Sequence, residues 1–191
     1  MDFINRAKNI IVSPQAEWLV ISTEQPNRNH IINRYLLPLA ALGALAIFIG
    51  FWLFLRFDVT TAFLLGLLYL ATIVLTIYLS ALAIDALAPS FGSQKNLGRT
   101  LQLVTYSATP FLVGALLSIY PPLATIGYLF GLYGVYIFYL GLPILKGTPA
   151  DKLVGFLVVS VLIIIIIYMV INRLLGSILA NMFRSNRYNY Y

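Results

Sequence analysis

The sequence predicts an all-α, polytopic membrane protein: a five-transmembrane-helix bundle preceded by amphipathic helices at the membrane interface. Three observations predict it. Apolar residues make up 61% of the 191 and charged residues only 9%, with a mean hydropathy of +0.91, which leaves too little polar surface to coat a soluble globule. The apolar residues gather in blocks of about twenty, the length a helix needs to cross a hydrocarbon core of about 30 Å. The polar loops between blocks are short, so no second, soluble domain fits.

Residues 1–34 read as a cytoplasmic amphipathic segment. It lacks the apolar stretch and small-residue cleavage site of a signal peptide and is expected to stay attached. Phe3, Ile4, Ala7, Ile10 and Ile11 form one helical face opposite Asn5, Arg6, Lys8 and Asn9, as in a helix lying among headgroups. "SPQAEWLVISTE" reads as a second such helix. Ser13 can cap it, Pro14 suits its first position, Glu17 lies in its positive first turn, and Trp18 belongs at the interface.

The transmembrane domain covers 35–171, with spans at 35–55, 59–87, 100–119, 123–145 and 153–171. Arg56, Phe57 and Asp58 form the first turn, and the second span is long enough to tilt or protrude. Pro110 falls inside the third span, where neighbouring helices can satisfy the carbonyl it frees. "YPP" and "KGTPADK" separate the last three spans. Residues 172–191 read as a short basic, Tyr-rich tail, with a re-entrant turn or sixth segment at 174–183 as the alternative.

Twelve Lys and Arg against six acids give a net charge of +6, which topology explains without invoking nucleic acid. With the N-terminus inside, Arg6, Lys8, Arg28, Arg34, Lys95, Arg99, Lys146 and Lys152 share the cytoplasmic side; Arg56, Arg173, Arg184 and Arg187 fall outside. Eight against four favours a cytoplasmic N-terminus.

In the fourth span Gly127, Gly131, Gly134 and Gly141 form one seam for close helix approach. The fifth has few small residues and is expected to face lipid. Asp85 ends the second span at headgroup depth, where Lys95 or Arg99 is expected to approach it. Around it, Pro89, Phe91, Gly92, Lys95, Asn96 and Arg99, with Lys146, Asp151 and Lys152 from the later loop, form a candidate partner or ligand surface. Tyr106, Ser107, Thr109, Pro110 and Tyr136 are candidate polar residues of the helix interior.

Nothing points to catalysis. The chain has no Cys, and His30 is its one histidine, in the polar N-terminal segment, so neither a thiolate site nor a histidine-based metal site or triad is expected within the membrane. Asp58 lies on the opposite side from Asp85 and Asp151, which leaves those two to converge in an ion-pair cluster. No cofactor is expected.

In order, "SPQAEWLVISTE", "RYLLPLAALGALAIFIG", "DALAPSFGSQKN", "LQLVTYSATP", "YLFGLYGVYIFYLGLP" and "TPADK" resemble the Yip domain family, named for eukaryotic Ypt/Rab-interacting proteins. The resemblance runs from about Pro14 to Ile171. It implies five membrane helices, a cytoplasmic N-terminus and a short far-side C-terminus, and Asp85 matches an aspartate the family places there. Eukaryotic members carry a longer polar N-terminal region. This chain is similar to the prokaryotic branch, for which a Rab-type GTPase partner is not expected and the cytoplasmic (inner) membrane is.

Two function classes remain. One is a non-enzymatic membrane-organising or adaptor protein that contacts lipid, self-associates or captures other membrane proteins. The other is a small channel or transporter for an ion, small solute or lipid, which would need Tyr106, Ser107, Thr109, Tyr136 and Asp85 along one path; no internal repeat favours it.

Overall fold

The computed structural model describes residues 3–188, with side-chain surroundings for 3–181. It is helical throughout its regular structure. Two short helices, α1 (Phe3–Val12) and α2 (Pro14–Thr23), lead into five helices long and apolar enough to cross a membrane. These are α3 (Arg28–Phe54), α4 (Val59–Phe91, its last turn 3-10), α5 (Leu97–Ile119), α6 (Pro121–Lys146) and α7, which begins at Ala150 and continues to Tyr188.

Local chemistry sets the boundaries. Arg56 adopts φ 59 in the turn after α3, and Asp58 then caps α4, its carboxylate accepting from Thr61 N–H at 2.9 Å. Bonds from the Thr61 side chain and backbone hold the Asp58 carboxyl below its ordinary value. The cap is therefore present at neutral pH and is lost as pH falls through that lowered pKa. In α5, Pro110 has no N–H to return to the Tyr106 carbonyl, and the helix turns at Ala108 into Thr109–Gly114 and a closing 3-10 stretch, Ala115–Ile119. The third span is thus a bent helix that starts three residues earlier than 100–119. The fifth also differs: α7 runs on as one helix past residue 171, with no reversal at 174–183. At about 1.5 Å per residue it outreaches its neighbours, and a Cβ built at Gly176 meets nothing within 4 Å among the described residues.

α5 and α6 form the frame. Gly114 and Gly127 face each other so closely that a Cβ on either would run into the other's carbonyl, and a Cβ at Gly134 would lie 2.5 Å from Ser107 O. The glycine seam of the fourth span is therefore used within the chain, against α5.

The N-terminal helices pack against the bundle more closely than the sequence implies. Trp18 is fully buried: its ring occupies the notch at Gly141, where a Cβ would lie 2.7 Å from Trp18 Cε2, and its Nε1 donates to Ile137 O at 2.9 Å. Tyr133 donates to Ile11 O at 2.7 Å, thirteen residues or roughly 20 Å along α6 from Lys146. α1 and α2 are thus a helical hairpin lying along α5 and α6 with its turn at Ser13. Within α1, Ala7 and Ile10 are buried and Asn5 and Lys8 exposed as assigned from the sequence, but two residues depart from it: Ile4 is exposed and Arg6 is 5% exposed. The cause is an acid in another helix: Arg6 Nη1 donates to Glu17 Oε1 at 2.6 Å, Arg6 Nη2 reaches Glu24, and the guanidinium lies 5.7 Å from the Tyr106 ring centroid.

In detergent, Gly127→Ala is expected to destabilise the protein by about 1–3 kcal/mol through overpacking against Gly114. Gly176→Ala, in open space, is expected to be neutral or to stabilise by up to about 1 kcal/mol. Reversible unfolding followed by circular dichroism checks the pair.

Candidate functional site

The loop after α4 is held by its own backbone. Ala88–Phe91 tighten into a 3-10 turn that Gly92, at φ 67, closes by donating to Pro89 O, while Ser93 N–H reaches Ala88 O. Asn96 then caps α5, its side chain accepting from Arg99 N–H. On the other side, Gly147 at φ 62 ends α6, and the two loops are joined by Gln94 N–H to Lys146 O at 2.8 Å and by a Ser93–Thr148 hydroxyl pair at 2.8 Å.

Asp85 sits under this joint. Its Oδ1 accepts from Asn96 N–H at 2.8 Å, Thr100 Oγ1 at 2.7 Å and Lys146 Nζ at 2.8 Å. Lys146 also donates to Thr100 Oγ1 at 2.6 Å and is fully buried, with Asp85 5% exposed. One carboxylate oxygen therefore ties the end of α4 to the start of α5 and the end of α6. The countercharge is Lys146, not Lys95 or Arg99. Lys95 is exposed, and Arg99 turns towards α2, donating to Ile21 O and Ser22 O, both at 2.9 Å, and to Gln102 Oε1 at 3.2 Å. A cation on the last carbonyls of α2 complements its dipole and anchors the hairpin.

The remaining loop candidates separate. Phe91 stacks on Phe156 at 4.8 Å, pinning the loop to α7. Pro89, Asp151 and Lys152 are exposed, and Asp151 does not join Asp85, so the two-acid cluster is replaced by a single buried pair. Of the interior candidates, Tyr106 packs edge-on to Tyr35 at 4.8 Å, and Tyr35 and Thr109 share a hydroxyl bond of 2.7 Å. Pro110 and Ser107 are buried beside them in α5. Tyr136 does not belong to this group: it is 51% exposed, its ring stacked on that of Tyr133, whose own hydroxyl reaches Ile11 O of α1. Gly131 meets only Phe111, at 3.4 Å.

The chain forms a five-helix bundle with an acid at the end of its second span locked into the following loop. The family model of the Yip1 domain matches residues 8–172. The chain belongs to the Yip1 domain family. The match takes in the second half of α1, all of α2 and the five apolar helices up to the part of α7 that outruns the bundle. No curated protein and no solved structure matches the chain significantly. It is an integral, multi-pass membrane protein of the Yip1 family.

Sequence reading missed Arg6, Glu17 and Glu24 as an ionic cluster, and Thr100 as the hydroxyl between Asp85 and Lys146. The one signal for the first was a basic residue in α1 followed by two acids, in and just after α2, on a helix that a tight turn at Ser13 folds back on it.

Breaking the Yip1 domain's buried pair leaves an uncompensated charge. Lys146→Ala is expected to cost about 3–5 kcal/mol, whereas Asp85→Ala with Lys146→Ala costs less than the two single changes summed. A double-mutant cycle of unfolding free energies in detergent measures the difference.

Proposed function

We propose that this Yip1 domain protein organises the membrane without catalysis, by adding the α1–α2 hairpin to one leaflet alone. The observation that carries this reading is the depth of the hairpin turn, beside Tyr133 and Ile137 about half-way along α6. On one half of the bundle seven helices lie side by side, and on the other five, a cross-section larger by about 40% if every helix occupies a similar diameter. Leu19 and Val20 face outward from α2 as lipid-contacting residues, and Lys8 on α1 can extend its stem to the headgroups. The charge distribution, eight basic residues to four, supports the cytoplasmic leaflet as the one that holds the hairpin. There the exposed Lys95, Asp151 and Lys152 are open to a protein partner, so the adaptor role and the leaflet role share one face. Because the glycine seam is occupied by α5, self-association would have to use another surface, such as the apolar outer face of α7.

A second reading, as a small channel, has one observation in its favour. Thr72, Thr76 and Ser80, one turn apart along α4, are buried with no hydrogen-bond partner among the described residues, as are Thr105 and Ser107 of α5. The outward Tyr136 counts against a continuous path.

Reconstitution into liposomes of uniform size separates the readings. Leaflet organisation predicts that mean vesicle diameter falls as protein density rises while proton and potassium gradients hold. Dissipation of either gradient at unchanged diameter would favour the channel, and unchanged vesicles with intact gradients would reject both. For orientation, the expected result is that a single cysteine at position 95 is protected from an impermeant thiol reagent in intact cells and one at position 57 is labelled.

A further inference from the structure

Between the hairpin, the start of α3 and the face of α5 lies a cleft of about 800 Å³ lined by polar and apolar residues alike, within the size range of small-molecule sites. Three features of its wall point to a ligand. First, Gln102 is only 2% exposed and lines the cleft. Its Oε1 is taken by Arg99, which fixes the amide orientation, and among the described residues its Nε2 donates to no protein acceptor. Second, Ile32–Leu36 is one of two π-helical turns in α3, a form frequent at functional sites, and it brings Asn33, Arg34 and Tyr35 to the cleft together. Arg34 has no ion-pair partner among the described residues. Third, charge on the wall is mixed. Arg6 is already shared by Glu17 and Glu24, so Arg34 supplies the open positive site while Glu24, on the same wall, carries excess negative charge.

A cleft with donors around a cation unpaired among the described residues and a partly satisfied carboxylate suits a zwitterion better than an anion. We propose that it binds a phospholipid headgroup bearing a phosphate and a primary ammonium, the phosphate on Arg34 and the Gln102 amide, the ammonium on Glu24. An acyl route is present: Pro38 lines the cleft, and Leu42 and Leu45, one and two turns further along α3, are exposed on the same side. The site stands on this geometry and does not require the leaflet-organising role.

Purified full-length protein in detergent is titrated with short-chain phosphatidylethanolamine, phosphatidylcholine, phosphatidylglycerol and free phosphoethanolamine, with adducts counted by native mass spectrometry. The expected result is one saturable phosphatidylethanolamine adduct, weakened at least tenfold in Arg34→Ala and unchanged in Arg28→Ala, whose side chain lies outside the cleft. Phosphatidylcholine should bind at least fivefold more weakly, because its ammonium offers Glu24 no N–H. Binding of free phosphoethanolamine as tight as the lipid's would keep the chemistry and place its source in solution; binding of the lipid alone places it in the bilayer. The thermal midpoint of the parent protein, and not of a folded Arg34→Ala, should rise with phosphatidylethanolamine. Preference for phosphatidylglycerol, no saturable adduct, or binding indifferent to Arg34→Ala would overturn the proposal.

Discussion

The placement of Trp18 in the notch of Gly141 is the contact on which the rest of the structure depends. Between apolar helices in lipid the hydrophobic drive is weak, and association rests on close packing and hydrogen bonds. A residue at position 141 without a side chain lets the indole lie against the backbone of α6, with Leu103 of α5 completing the pocket. The indole N–H, costly to leave unpaired in such a place, finds Ile137 O. With Trp18 so fixed, α2 must run along the α5–α6 pair, α1 must fold back beside it, and the cleft against α3 follows.

Two buried ionic clusters then hold the same end of the bundle. Arg6, Glu17 and Glu24 lock α1 to α2, while Asp85, Thr100 and Lys146 lock α4, α5 and α6. Burying charge is seldom a net source of stability, and its usual benefit is geometric: a wrong register leaves a charge unpaired. Both clusters sit where helices must meet in register to shape loops and a cleft. The opposite end is held by helix turns and aromatic contacts such as Phe54 with Tyr120.

Most of the fold was legible in the sequence because lipid imposes a length rule that apolar blocks display directly. The five spans, the two N-terminal helices and the glycine seam follow from local spacing. The misreadings share one cause: each needed a partner distant in sequence. Arg6 looks solvent-facing on a helical wheel until Glu17 and Glu24 are placed opposite it. Asp85 has nearer cations at Lys95 and Arg99, but α6 delivers Lys146 and α2 claims Arg99. Trp18 suits an interface by type and was carried inward by a glycine 123 residues away. Tyr136 belongs to the same aromatic-rich helix as Tyr133, and only the packing of α1 shows which of the two faces inward.

Depth is therefore the quantity that separates a hairpin set into the bilayer from helices resting on it. The chain has no cysteine, so a spin label on a single cysteine at position 13 reports the hairpin turn without interference. In reconstituted bilayers the account predicts that this label is relaxed by molecular oxygen far more than by a water-soluble nickel chelate, as at the middle of the hydrocarbon. Equal or greater relaxation by the chelate, the pattern of headgroup depth, would contradict it.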